Sequence, residues 1–459
     1  MKDPKQLIQS QKSFFETGKT RDISFIKGKL KRLKESIITN EDTIHQALYK
    51  DFKKPKFEAY ISEFGILISE IDIVLNNLSK WSKPKKVRPS KLNFPSKDYI
   101  YSEPYGTVLV IAPWNYPFQL AISPVISAIA AGNTVVLKPS EVSSHTAVII
   151  KTILSDIFDD AHLCVELGGV SETTTLLKER WDYIFFTGSV AVGKIIAKAA
   201  AVHLTPVTLE LGGKNPCIVD ESADIKLTAK RLVWGKFLNA GQTCIAPDYI
   251  LVNNRIKADL VQHLKTEIFK AYGENPEISP NYPRIVNAKN LQRLTAMLED
   301  AEILVGGNSN SSDNYLAPTL VDNPKLDSKL MEGEIFGPIL PVLDYQTEKD
   351  IESIVKSYEK PLGFYVFSKN KAFWNSLIQK YSFGGGAVND TMIHFGNPRL
   401  PFGGVGESGI GAYRGHFGYE TFTHKKGITI KANWLDIPLR YAPYNNKLKL
   451  LKKAFKWLR

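Results

Sequence analysis

Three side chains able to do covalent and acid–base chemistry stand at turns far apart in the sequence. Cys244 closes Phe237-Leu238-Asn239-Ala240-Gly241-Gln242-Thr243-Cys244. A thiol becomes a useful nucleophile when its pKa is lowered or a base stands near. Taken alone, such a cysteine also reads as an inert small hydrophobe, and no histidine lies close by in sequence for a Cys–His pair. Glu210 ends the apolar run Val207-Thr208-Leu209 and precedes Gly212-Gly213. Burial there would raise its pKa, as a general base near neutral pH requires. The plainer reading is a surface glutamate at a strand end. Asn115 lies between two prolines in Ala112-Pro113-Trp114-Asn115-Tyr116-Pro117. A stiffened loop could hold its amide N–H as an oxyanion donor, or the residue is simply a turn asparagine.

Two further segments suit a dinucleotide. Phe186-Thr187-Gly188-Ser189-Val190-Ala191-Val192-Gly193 follows a strand pattern and opens a helix, and helix N-termini attract phosphate. It is not a GxGxxG turn, so alone it carries little. Lys138-Pro139-Ser140-Glu141 follows the run Thr134-Val135-Val136-Leu137. A lysine and an acid beyond a strand can hold ribose hydroxyls. Alone they are a solvated turn.

The elements that must position these groups alternate. Strand patterns at 106–111, 134–137 and 183–186 alternate with helical patterns at 118–131, 143–158 and 191–201, which implies a parallel sheet with helices on both faces. A second alternating series runs from Pro206 to about Gly386, with helices expected at 227–237 and 256–272. Before them, 27–49 and 58–81 read as two long helices, followed by a basic, proline-containing link from Ser82 to Pro95.

Composition narrows the class. The chain has 459 residues, 43% apolar and 23% charged, as expected of a folded protein of two or three domains. Cys164, Cys217 and Cys244 are its only cysteines; their spacing fits no zinc template and no disulfide framework, so no metal is expected. Met1-Lys2-Asp3-Pro4-Lys5 leads into polar residues without an apolar signal segment, and a cytoplasmic location is expected. The net charge of +12 lies in two short stretches, Lys80–Lys91 and Lys447–Arg459, each with six basic residues and no acid. That argues against a nucleic-acid groove, which would spread its charge over the folded body. In 447–459, Leu448, Leu451, Phe455 and Leu458 share one side of a helix, with Leu450, Ala454 and Trp457 beside them and most lysines opposite. Such a helix suits an anionic membrane surface and equally a protein surface.

From Ser10 to Tyr444 the chain resembles the aldehyde dehydrogenase superfamily, and within it the class 3-like branch for fatty and aromatic aldehydes. The segments around Asn115, Lys138, Gly188, Glu210 and Cys244 appear in that family's order. So do Glu334-Ile335-Phe336-Gly337-Pro338 and Pro401-Phe402-Gly403-Gly404-Val405-Gly406-Glu407-Ser408-Gly409. The resemblance implies an α/β fold: a Rossmann-type cofactor domain (1–80 and 103–206), an α/β catalytic domain (207–388), an oligomerisation β-arm with a bridging segment (81–102 and 389–432) and a basic tail (433–459). It implies oxidation of medium or long-chain aliphatic or aromatic aldehydes to carboxylic acids. Cys244 would form a thiohemiacetal and then a thioester, Asn115 would hold the oxyanion, and Glu210 would activate the hydrolytic water. NAD is the expected cofactor, with NADP also admitted, since an acid such as Glu141 disfavours a 2′-phosphate. Cofactor contacts would fall to Trp114, Lys138, Glu141, Gly188, Ser189, Gly193, Glu334 and Phe336, and Asn389 would line the site. A homodimer is implied. Three rivals are a coenzyme A-acylating relative, a non-enzymatic relative and a membrane-surface module. The first usually lacks the glutamate matching Glu210, the second needs a broken site, and the third leaves most of the chain unused.

Overall fold

The structure is a computed structural model describing residues 2–445 and 447–458, without the side chains of residues 454, 457 and 458. Expectations resting on Met1, Ala454, Trp457, Leu458 and Arg459 lie outside the described residues.

Val108, Leu109 and Val110 can be fully buried because helices cover both faces of their sheet. The six strands lie in the order Gly409–Ile410, Val207–Glu210, Tyr183–Thr187, Thr107–Ile111, Thr134–Lys138, Leu163–Val165. All pairings are parallel except that of Gly409–Ile410 with Val207–Glu210. Chain order runs one way from Thr107–Ile111 toward Leu163–Val165 and the other way toward Val207–Glu210. The reversal makes a topological switch point, where a crevice opens beyond the strands' carboxyl ends. Ile111, Thr187 and Glu210 all end at that crevice.

A second sheet of seven strands has the order Ile303–Val305, Thr319–Asp322, Ile339–Tyr345, Tyr249–Asn253, Pro216–Val219, Gly363–Phe367, Gly385–Val388. It is parallel except for its first pair. Cys244 lies between the helix Ile225–Phe237 and the strand Tyr249–Asn253 of this sheet. Three antiparallel strands, Lys85–Val87, Ser96–Pro104 and Thr423–Lys431, form a separate arm.

Several expected boundaries move. Val207–Glu210, placed at the start of the catalytic domain, belongs to the six-stranded sheet, with Glu210 in register with Thr187. The backbone ladder there outweighs the chain's later course. The segment 389–432 is not one arm. Met392, Phe402, Tyr413, Tyr419 and Phe422 are buried in the main core, and only Thr423–Lys431 extends away. The strand Ser96–Pro104 overruns the expected limit at 102. The helical pattern over 27–49 splits at Asn40, whose side-chain amide donates to the Ser36 carbonyl and ends the helix Ile23–Thr39. Glu41 and Asp42 then open Glu41–Phe52, where acids favour the helix dipole. The pattern over 58–81 breaks into Lys56–Ala59, a π turn Tyr60–Phe64, and Gly65–Trp81.

Gly409 makes a close backbone approach beside Glu210. A Cβ there would lie 2.5 Å from the Leu209 carbonyl oxygen. Gly409→Ala is expected to prise off the edge strand at a cost of about 1–3 kcal/mol and to lower activity by loosening the seat of Glu210. Denaturant unfolding with a turnover assay checks both.

Candidate functional site

The loop after Thr107–Ile111 is pinned by its prolines and by the Ala112 N–H donating to the Lys138 carbonyl at 3.0 Å. It carries Trp114 and Asn115. The loop after Tyr183–Thr187 carries Gly188 and Ser189, and the Gly188 N–H donates to the Glu210 carbonyl at 3.0 Å. The Ser189 hydroxyl caps the helix Val190–Ala201 by accepting from the Val192 N–H. Gly193 lets that helix approach Leu211, because a Cβ would meet its Cδ2 at 2.7 Å. The Glu334–Phe336 loop hangs from a buried ion pair. Lys214 Nζ lies 2.6 Å from Asp248 Oδ2, and Asp248 Oδ1 accepts the Ile335 N–H at 2.9 Å.

These loops enclose two cavities that share a wall. The first, about 250 Å³, is lined by Trp114, Asn115, Gly188, Ser189, Glu334 and Phe336, among others. The second, about 340 Å³, is mostly apolar, lined by residues such as Ile61, Trp234, Met392, Phe395 and Phe402. Cys244 and Glu210 line both, with Thr187 and Leu120. Glu210 and Cys244 therefore meet where the cavities adjoin, with Asn115, from a distant part of the chain, beside them on the first.

Asn115 is buried, and its amide Nδ2 donates to the Gln242 carbonyl at 3.0 Å. One N–H of that amide remains for a ligand. Burial, helped by the charges of Glu334 and Glu210, pushes the Cys244 thiol up, while the backbone N–H groups of Cys244 and Ile245 favour its thiolate. Glu210 is 2% exposed, and neither carboxylate oxygen has a hydrogen-bond partner in the chain. Burial alone lifts its pKa well above the ordinary value. Glu334 is raised to about 8, first by burial and then by Asp248, and its Oε1 also lacks a partner.

The remaining expected residues lie apart from this wall. Lys138 and Glu141 stand beyond the neighbouring strand, Nζ to Oε2 at 2.8 Å. They line neither cavity. Asn389, expected to line the site, instead bonds the Ser368 backbone through both ends of its amide. Sequence reasoning missed Arg293 and Asn290 on the first cavity and most of the apolar lining of the second. It also missed Asn239, although that residue stands in the quoted cysteine segment. Its amide donates to the Asn115 carbonyl at 2.8 Å and to the Gln242 carbonyl at 3.2 Å.

The first cavity suits one end of a dinucleotide: a helix N-terminus beside Gly188, an unpartnered Glu334 oxygen for a hydroxyl, and aromatic rings on its walls. Trp114 and Phe336 meet edge-on with centroids 5.3 Å apart. Residues 2–428 match the profile of the aldehyde dehydrogenase family. The chain belongs to that family. It is 48% identical, over 98% of its length and 99% of the relative's, to the 4,4'-diaponeurosporen-aldehyde dehydrogenase of Staphylococcus aureus. It is 42% identical over 93% of its length to a dimeric, NADP-preferring aldehyde dehydrogenase of Rattus norvegicus, covering 94% of that protein. A solved substrate-bound Staphylococcus aureus AldH superposes with a TM-score of 0.97 at 47% identity, covering 99% of this chain and all of that one. The protein is thus an NAD(P)-dependent oxidoreductase that oxidises aldehydes.

A carboxyl with a raised pKa binds its proton more tightly folded than unfolded. It favours the fold at low pH, and that contribution is lost as pH rises through the raised value. Glu210→Gln removes this cost and breaks no hydrogen bond. The variant is expected to melt above the parent at pH 8, with the difference closing toward pH 5. Thermal melts across that range check the sign.

Proposed function

We propose that Cys244 is the covalent nucleophile, Asn115 the oxyanion donor and Glu210 the base in this aldehyde oxidation. The observation that carries the reading is the shared wall: the thiol and the unpartnered carboxylate face both an apolar cavity and one walled by Trp114, Glu334 and Phe336. An aldehyde seated in the apolar cavity presents its carbonyl to Cys244. The sulfur adds to the carbonyl carbon as its proton passes to solvent water, and the oxygen becomes an alkoxide. The free N–H of Asn115 and the backbone N–H of Cys244 stabilise that charge. Trp114, Glu334 and Phe336 would hold a nicotinamide as the hydride acceptor, and loss of hydride from the carbon would leave a thioester on Cys244. Glu210 then takes a proton from water, whose oxygen attacks the thioester carbonyl. The carboxylic acid departs and the sulfur regains its proton. A raised pKa suits Glu210 to this, because it accepts a proton readily near neutral pH.

Trp114, Gly188, Ser189, Gly193, Glu334 and Phe336 would hold the cofactor, with Lys138 and Glu141 at its ribose end. Glu141 favours NAD over NADP by repelling a 2′-phosphate. The apolar lining points to medium or long-chain aliphatic or aromatic aldehydes, in keeping with the staphylococcal relative's name, which specifies a diaponeurosporen aldehyde. NADH release across an aldehyde chain-length series, with NAD and with NADP, tests the reading. Catalytic efficiency is expected to rise about fourfold per methylene until the cavity is filled, at roughly 0.8 kcal/mol each. Cys244→Ala should abolish turnover, and Asn115→Ala should slow it about 10²–10³-fold with cofactor binding intact. Full turnover in Cys244→Ala would end the proposal.

A homodimer joined through the arm fits its surface, since Ile428 and Ile430 on Thr423–Lys431 are exposed. The rat relative's name describes it as dimeric. We also propose a cytoplasmic enzyme whose tail touches membranes. The helix Lys447–Leu458 exposes Leu448, Leu450, Leu451 and Phe455 among its lysines. No helix among the described residues is long and apolar enough to cross a bilayer, so such contact would be interfacial. Full-length protein should pellet with anionic liposomes, and a chain ending at Asn446 should remain in solution. Equal partitioning of the two removes the membrane role.

A further inference from the structure

Behind the wall that bears Asn115 and Cys244 lie three ionisable side chains with no evident business in a core. Lys54, Glu58 and Glu63 are 1%, 8% and 0% exposed. All three come from the short stretch spanning the end of Glu41–Phe52, the turn Lys56–Ala59 and the π turn Tyr60–Phe64. Burial lifts Glu58 to about 7 and pulls Lys54 down from the usual lysine range. Apolar side chains of like volume would fill the space with less penalty, so their worth must lie in what they hold.

Each acid holds one of the two loops. Glu63 Oε2 accepts the N–H groups of Phe118 and Gln119 at 2.9 and 3.3 Å. It thereby caps the helix Gln119–Ala130 from outside and fixes the far end of the Asn115 loop. Glu58 Oε2 accepts the Asn239 N–H at 3.0 Å. That bond falls on a strained turn, since Asn239 and Ala240 are both left-handed, at φ +55° and +52°. Lys54 joins the two supports. Its Nζ lies 2.6 Å from Glu63 Oε1 and 4.0 Å from the centre of the Tyr116 ring, and its charge lowers the Glu58 pKa. In front of this trio the loops grip each other: the Gln242 carbonyl accepts both the Asn115 and the Asn239 amides.

We propose that Lys54, Glu58 and Glu63 are positioning residues that fix the Asn115 amide against the Cys244 backbone N–H, so that both donors meet one oxyanion. None of the three lines either cavity, and they act only through the loops. The proposal rests on the oxyanion role given to Asn115.

The test is a double-mutant cycle between Glu58→Met, which keeps the volume and lacks the acceptor, and Asn115→Ala, with Glu58→Gln as the conservative rescue. Glu58→Met is expected to lower kcat about 10- to 100-fold, as small misplacements do, with the Kd for NAD unchanged. Glu58→Gln still offers Asn239 an oxygen and should recover most of kcat. In the Asn115→Ala background, Glu58→Met should cost less than about twofold, because the donor it positions is already gone. A merely structural role would lower the melting temperature and leave kcat, measured well below it, intact. Full kcat in Glu58→Met, or the same fold-loss in both backgrounds, overturns the proposal while a slow Asn115→Ala keeps the oxyanion reading. Full turnover in Asn115→Ala removes that reading and the proposal together. Should Glu58→Met not fold, Glu63→Met reads the other support: a tenfold or greater loss of kcat at unchanged Kd for NAD sustains the proposal, and wild-type kcat overturns it.

Discussion

A carboxylate kept dry and without a partner is costly, and the architecture around Glu210 follows from having to keep one. It cannot sit on the surface, where water would return its pKa to the ordinary range. It cannot sit in a closed core, where no substrate would reach it. The end of a strand paired on both sides meets both demands. The ladder on either side fixes its backbone, with Thr187 across one edge and Gly409 across the other, and its side chain projects into the crevice where the strand order reverses.

The same requirement shapes Cys244. Its thiol is raised by burial and by two nearby acids. The N–H groups of Cys244 and Ile245 oppose that shift, and they are fixed by the fold before any substrate arrives. Preorganised dipoles of this kind stabilise charge without reorganisation at the moment of reaction. The sheets therefore share the work: the six-stranded sheet supplies Asn115 and Glu210, and the seven-stranded unit supplies Cys244 and Glu334.

How much of this can be read in the amino-acid order depends on how local the cause is. Strands such as Thr107–Ile111 and Thr134–Lys138 announce themselves because a buried parallel sheet demands continuous β-branched runs. Cys244, Glu210 and Asn115 are visible because each lies beside glycines or prolines that shape its turn. The boundary at Val207 was not legible, because which sheet a strand joins is decided by partners far away in sequence. Nor was the arm's true extent, since the glycines between Asn389 and Phe422 look like loop while aromatic residues among them enter the core. Lys54, Glu58 and Glu63 are the extreme case. In sequence they are ordinary charges at a helix junction, and only the distant N–H groups of Phe118 and Asn239 give them a reason to be buried.

Strain gives a second route to the same place. Backbone in sparsely populated conformations persists only where the surroundings over-determine it, and such residues cluster at working sites. Phe336, at φ +49°, walls the first cavity, and Met392, at φ +57°, walls the apolar one. Asn239 and Ala240 lead into the nucleophile. Glu210, Thr187 and Glu334 each bury a polar atom without a partner on the same walls. A fold selected only for stability would relieve each of these, because each could be exchanged for a glycine or an apolar residue without disturbing the sheets. Phe336, Met392, Glu210, Thr187 and Glu334 line the same cavities as Cys244, a physical pointer to function that does not depend on recognising any motif.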